Sequence, residues 1–311
     1  MNSKENFLEA ISFGSPDYVP CENENIFIGI SFDGVFKCED WTDSWGIEWK
    51  VGIDGTVPFP VKYPLEDIRK LDGYKFPDPY KLNLSDGDKY RLEKADRSSK
   101  LVVGHLMYLL FERAWALMGM ENFLPALIEY PEECHALLHN IAAYARAVFD
   151  RYLELGVDAI SFSEDLGSQK ALMMSPKLFR EFLLPEYRYC FENVIKEKKI
   201  INFHSCGCID EIAGDLASIG ITILNPIQAR ANDLSKIKNA TYKRMALMGG
   251  IDTAVIMTGT PQDVRNEVIR VMDILKPGGG YICAPDQYLP DMPEENLQML
   301  WKTAKEYGRY R

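Results

Sequence analysis

From about residue 100 onward, short apolar runs alternate with stretches whose apolar positions recur every three to four residues. An unbroken or alternating apolar run marks a strand, and the three-to-four spacing marks an amphipathic helix. Residues 101–105 read as a strand, 112–126 as a helix and 131–155 as a second, longer helix. The next strand covers 158–163 and is followed by a helix over 175–196, which opens on Ser175-Pro176. Serine caps a helix and proline suits its first turn. The order then repeats as strand 199–203, helix 209–218, strand 221–224, short helix 232–239 and strand 245–248. A helix from Thr260-Pro261 to about Leu275, a strand over 278–283 and a last helix over about 293–307 complete the chain. Strands separated by single helices lie parallel. So many βα units predict an α/β fold, a closed (β/α)₈ TIM barrel rather than an open sheet.

Residues 1–100 are patterned differently, being rich in proline, glycine, aspartate and aromatics. They predict an N-terminal helix, a first barrel strand near Val19, and an insertion over about 30–100 that carries a β-hairpin and covers one end. The whole chain, 1–311, is then one TIM-barrel domain. Trp41, Trp45 and Trp49 recur every four residues, a spacing shared by a helix face and by aromatics packing an insertion onto the barrel; packing is the favoured reading.

Composition narrows the function. Hydrophobic residues make up 47% and charged residues 26%, as in globular proteins of aqueous compartments. A formal net charge of -11 speaks against an electrostatic nucleic-acid binder. No run approaches the ~18 apolar residues of a membrane span, and the start lacks a secretory apolar stretch. The expected location is cytoplasmic. Seven cysteines, an odd and scattered set, are not a disulfide framework. Cys21, Cys38, Cys134 and Cys190 read as ordinary thiols.

The chemistry concentrates at His204-Ser205-Cys206-Gly207-Cys208, which ends an apolar strand, and at Cys283, which ends another. Barrel enzymes keep their active sites at strand C-terminal ends. Imidazole and thiolate are strong zinc ligands, and three protein ligands with an open position is the catalytic arrangement. A neighbouring carboxylate would complete such a site. Glu164 and Asp165 end the 158–163 strand, and alternation sends Ile160, Phe162 and Glu164 to one face and Ser161, Ser163 and Asp165 to the other. Only one of the two carboxylates can reach a shared metal, and each has a cap or loop salt bridge as its alternative. Cys208 is either a further ligand or a thiol at a helix start. His135 and His139, four apart, read as packing or surface residues; His105 either lines the pocket or packs in the core. Tyr288 is a candidate hydrogen-bond donor to a reacting oxygen. Asp252 either orients a ligand or caps the next helix.

Several stretches resemble the uroporphyrinogen decarboxylase superfamily, and within it the zinc- and corrinoid-dependent methyltransferases. They are Phe111-Glu112-Arg113-Ala114-Trp115, the run from Gly156 to Ser168, Ser175-Pro176-Lys177-Leu178-Phe179, His204-Ser205-Cys206-Gly207, Met248-Gly249-Gly250-Ile251-Asp252 and Pro293-Glu294-Glu295-Asn296. The resemblance implies a TIM barrel with Zn2+ held by His204, Cys206 and Cys283, and with Glu164 as the fourth ligand. It departs from true decarboxylases, whose arginine-rich N-terminal motif holds the porphyrin carboxylates. The equivalent stretch here, Cys21-Glu22-Asn23-Glu24-Asn25, is acidic. The corrinoid-binding pattern Asp-x-His-x-x-Gly is also missing, so the resemblance implies a corrinoid carried by a partner protein, with no cofactor-binding residue in this chain.

Two zinc methyl transfers suit such ligands. In one, a thiol such as coenzyme M takes the methyl group from methyl–cobalt; in the other, cobalt(I) takes it from a methyl ether and a phenolate leaves. Phe111, Trp115, Met118, Met173, Met174 and Tyr288 are pocket candidates for an aromatic ether of the vanillate, veratrol or guaiacol type. The expected function is the methyltransferase component of an O-demethylase, with Glu164, Tyr288 and Asp252 as catalytic candidates. A zinc-stapled binding barrel without enzymatic activity is the competing class.

Overall fold

The computed structural model describes residues 1–32, 39–52 and 58–310. In chain order its strands are β1 (Phe27–Ser31), β2 (Trp41–Thr42), β3 (Glu48–Lys50), β4 (Phe59–Lys62) and β5 (Leu101–Leu106). Then come β6 (Ala159–Ser163), β7 (Ile200–His204), β8 (Ile223–Ile227), β9 (Ala246–Ile251) and β10 (Tyr281–Pro285). The order β1-β5-β6-β7-β8-β9-β10 makes one curled sheet in which every pair is parallel. Helices fill the connections on the outside. This is the α/β barrel that the alternating pattern predicts.

The eighth barrel position is nearly empty of strand. Cys283 N donates to Pro20 O at 2.9 Å, and Cys21 forms one parallel bridge to Cys283. Pro20 has no N–H to extend the ladder, and a 3₁₀ turn at Glu22–Glu24 carries the chain away. The strand expected near Val19 is therefore a single bridge, and the first full strand is β1. The helix expected over 112–126 is two helices, Phe111–Met118 and Met120–Glu129, because Gly119 takes a φ of 81° between them.

Side chains on the outer face of the sheet merge with the helices into one large core. A second cluster sits inside the barrel at its N-terminal end. There Phe7 and Ile11 of the helix Ser3–Ile11 pack with Ile26, Leu101, Ile223 and Ile282. Burial of each such side chain stabilises the floor by about 1.5–3 kcal/mol.

The three tryptophans do not share a helix face. Trp41 and Trp49 are cross-strand partners on β2 and β3, stacked at 5.8 Å, and Trp49 stacks in turn on Tyr108 at 5.2 Å. Trp45 lies in the connecting turn, buried under the Arg113 guanidinium at 4.7 Å. Asp43 ties this turn together: it accepts from Trp45 N, Ile47 N and Trp49 Nε1, and from Arg113. The antiparallel sheet β2–β4 is thus fastened to the segment that follows β5. Cys38 and parts of the stretch expected as an insertion lie outside the described residues. Among the described residues no helix is long and apolar enough to cross a membrane.

Gly104 of β5 supports the ring of Tyr152, which would stand 2.4 Å from a Cβ at that position. The Tyr152 hydroxyl donates to His105 O at 2.7 Å and accepts from Phe32 N at 3.0 Å, so the ring is held in place. Gly104→Ala is expected to cost about 1–3 kcal/mol, measured as a lower urea midpoint with an unchanged slope.

Candidate metal centre

Strand parity decides which side chains meet inside the barrel. On β6 and its extension Ser161, Ser163 and Asp165 face the interior cavity; on β7 Asn202, His204 and the following Cys206 do so. Two loops then fix the ends of these strands against each other. Glu164 N donates to His204 O at 3.0 Å, Leu166 N to Ser205 Oγ at 3.0 Å, and Cys206 N to Asp165 Oδ1 at 2.7 Å. The loops cross where Gly207, with φ 85°, presses on Gly167; a Cβ there would stand 2.1 Å from Gly167 O. Only glycine allows this approach.

Asp165, His204 and Cys206 form the one candidate metal group found among the described residues, their ligand atoms all within 4.8 Å of one another. His204 Nε2 lies 3.6 Å from Cys206 Sγ and 3.7 Å from Asp165 Oδ1. Tetrahedral zinc with ordinary ligand bonds separates such donors by about 3.3–3.6 Å, so the arrangement is compatible with zinc. The Asn225 side chain hydrogen-bonds the His204 ring and reaches Asn202 Oδ1 at 3.3 Å. Such a partner orients a ligating imidazole. The side chains of His204 and Asp165 keep 37% and 41% exposure, which leaves one flank of the group open to the cavity.

Burial lowers the His204 pKa, with Asp165 opposing, and so keeps the ring neutral. Burial and then Asp165 push the Cys206 thiol up to about 12. The cavity around the group has a volume of about 450 Å³. Glu22, Glu112, Asp165 and Asp286 line it together with Met107, Tyr108 and Met248, and no lysine or arginine does so among the described residues. Glu112 is raised well above the usual carboxylate range by burial and by the charges of Asp165 and Glu164. Ser163 Oγ donates to it at 2.6 Å. Asp286 is raised to about 7 by burial, and its Oδ1 has no hydrogen-bond partner.

Several expected site residues stand elsewhere. Glu164 is wholly buried on the outer face of β6's extension. Its Oε1 accepts from Leu110 N at 3.0 Å, Phe111 N at 2.7 Å and Tyr187 Oη at 2.5 Å, and its Oε2 from Glu112 N at 3.1 Å. It caps the helix Phe111–Met118, and both oxygens are spoken for. Burial pushes this carboxyl up to about 7, against the pull of those donors. Cys283 is not among the cavity residues either. On β10 the inward positions are Ile282 and Ala284; Cys283 faces the helices, fully buried, and hydrogen-bonds Cys21. The same parity brings Asp286 inward at the end of β10.

Asp252 is a helix cap, accepting from Ala254 N at 2.8 Å and pairing with Arg230. Tyr288 does line the cavity and hydrogen-bonds Glu22. Of the other pocket candidates, Phe111 and Met118 are core residues, and Trp115, Met173 and Met174 are not in the lining. Met107, Tyr108 and Met248 take their place. Cys208 is outside the metal group, its N donating to Ser168 O at 2.7 Å. His105 lines the cavity, whereas His135 stacks on Phe182 and His139 meets Glu186.

The family model for uroporphyrinogen decarboxylase (URO-D) matches residues 111–307. The uroporphyrinogen decarboxylase of Nostoc punctiforme (strain ATCC 29133 / PCC 73102) is 23% identical over 188 residues, which are 57% of this chain and 48% of that protein. The chain thus spans about half the length of the curated relative it matches. A solved methyltransferase from Methanosarcina mazei shares the fold, with a TM-score of 0.76 and 19% identity over 99% of each chain.

Two sets of variants separate metal holding from packing. Asp165→Ala, His204→Ala and Cys206→Ser are each expected to lower bound zinc, by elemental analysis, to below a tenth of the wild-type content, and Cys283→Ala to leave it unchanged. Glu164→Gln puts an amide N–H₂ among N–H donors and is expected to cost about 1.5–3 kcal/mol of stability, read by urea unfolding, with zinc content retained. Loss of zinc in Cys283→Ala or Glu164→Gln contradicts this assignment.

Proposed function

Because the chain belongs to the uroporphyrinogen decarboxylase family, and its cavity suits a metal ion better than a polyanionic tetrapyrrole, we propose that it is a zinc-dependent methyltransferase. In this reading it moves a methyl group from a phenyl methyl ether, of the vanillate, veratrol or guaiacol type, to the cobalt(I) of a corrinoid carried by a partner protein. The observation that carries the reading is the Asp165–His204–Cys206 group in a cavity lined by four carboxylates and by no lysine or arginine among the described residues. A porphyrinogen with many carboxylates needs a guanidinium or ammonium clamp. This cavity offers the opposite charge.

A bound zinc ion supplies Lewis acidity at the ether oxygen, where negative charge develops as the phenolate leaves. The chain's own residues do the rest. One sulfur with two harder donors suits an oxygen substrate better than a soft thiol. Met107, Tyr108 and Met248 offer the apolar wall on which an aromatic ring is oriented. Asp286, with an unpartnered oxygen and a carboxyl near 7, holds a proton that can pass to the departing phenolate oxygen. Tyr288 and Glu22, hydrogen-bonded to each other, border the same space. The half-exposed group argues against a closed structural zinc.

The test mixes zinc-loaded protein with cob(I)alamin and a panel of aryl methyl ethers, following conversion to methylcob(III)alamin by its absorption. Transfer that a chelator abolishes and zinc restores is the expected result. No transfer from any ether, with transfer from methylcobalamin to a thiol, overturns the direction. The ether rate is expected to fall as pH rises through about 7, where Asp286 loses its proton. Asp286→Asn should remove that limb and lower kcat about tenfold or more, with KM little changed.

A further inference from the structure

Barrels of this class are normally filled by layers of inward side chains. This one is hollow. Beneath the candidate metal centre lies a cavity of about 920 Å³, which extends past β1 to Ser85, Asp88 and Arg91 and shares Glu22, His105, Ser161, Asn225 and Met248 with the space around the metal group. The two spaces adjoin at these residues. Small residues keep the lower part open: Ala159 and Gly29 stand on inner-wall strands, and a Cβ at Gly29 would meet nothing within 4 Å.

The walls of this lower space divide by chemistry. Phe27, Val103, Ile200 and Ile223 make its deep end apolar. Nearer the metal group stand neutral hydrogen-bonding groups, Ser161, Asn202 and Asn225. The charged lining residues are Glu22, which borders both spaces, and the ion pair of Asp88 with Arg91. Neutral polar groups with an apolar end bind a molecule that carries a hydroxyl or carbonyl and an apolar tail. An anionic or cationic tail would lose its hydration there without a partner.

We infer that the methyl donor is an elongated neutral molecule whose ring stands at Asp165, His204 and Cys206 and whose apolar tail runs down the barrel toward Phe27 and Ile223. The identity of the head group rests on the proposed function; the tail subsite rests on the hollow interior alone.

The experiment is calorimetric titration of zinc-loaded protein, without any corrinoid, with 4-n-alkylguaiacols from methyl to hexyl. Each added methylene is expected to tighten Kd about fourfold until the cavity is filled. Gly29→Phe, which directs a ring into the open space, is expected to flatten that dependence while zinc content and thermal midpoint stay as in the wild type. Gly29→Val, a smaller intrusion, should flatten it in part. An affinity independent of chain length, no binding by any member, or an undiminished dependence in Gly29→Phe with its fold intact each overturns the subsite. Methyl transfer from ethers with a flat dependence refutes the subsite alone. A steep dependence without methyl transfer refutes the reaction and keeps the subsite.

Discussion

The buried carboxylate of Glu164 anchors the end of β6 beneath the first turn of the helix Phe111–Met118, where three amides and a phenol converge on it. A helix N-terminus stabilises a negative charge, and charge-assisted hydrogen bonds are about twice as strong as neutral ones. Burial works against the charge, and four donors on two oxygens oppose that cost. With Glu164 held outward, strand alternation leaves its neighbour Asp165 no choice but the cavity. Asp165 then accepts the Cys206 amide, and the thiol and the His204 ring come into reach. The geometry of the metal group thus begins on the opposite face of the sheet, in a helix cap.

The cavity's character follows from what its lining omits. Carboxylates gather at the strand ends without lysine or arginine among the described residues, and the interior below is left open. Burial raises Glu112 and Asp286, and neighbouring carboxylates add to it, Asp165 and Glu164 at Glu112 and Asp252 and Glu267 at Asp286. A cation at Asp165, His204 and Cys206 would relieve that repulsion. The same lining offers a polyanion no ammonium or guanidinium clamp among the described residues, and membership of a family does not by itself fix the substrate chemistry on its fold.

Much of the fold was legible because a βα barrel writes its period into the chain. Strands 101–105, 158–163 and 199–203 coincide closely with β5, β6 and β7, since a buried parallel strand is a short apolar run. Where one backbone feature overrode the pattern, the reading failed: Gly119 split a helix, and Pro20 reduced a strand to a bridge. The His204–Cys206 pair was legible from its place at a strand end. Its partners were not, and the reason is parity. The sequence already separated Asp165 from Glu164 by face, but resemblance preferred Glu164, whose capping partners are about 50 residues distant in the chain. Cys283 drew attention as a thiol at a strand end, yet an odd position on β10 faces the helices, and Asp286 holds the inward place.

Zinc K-edge X-ray absorption on the zinc-loaded protein tests the central claim most directly, because it counts sulfur atoms at the metal. One sulfur at about 2.3 Å with lighter donors at about 2.0–2.1 Å is the predicted shell. Two sulfurs would place Cys283 or Cys208 on the ion and contradict the assignment of Asp165, His204 and Cys206.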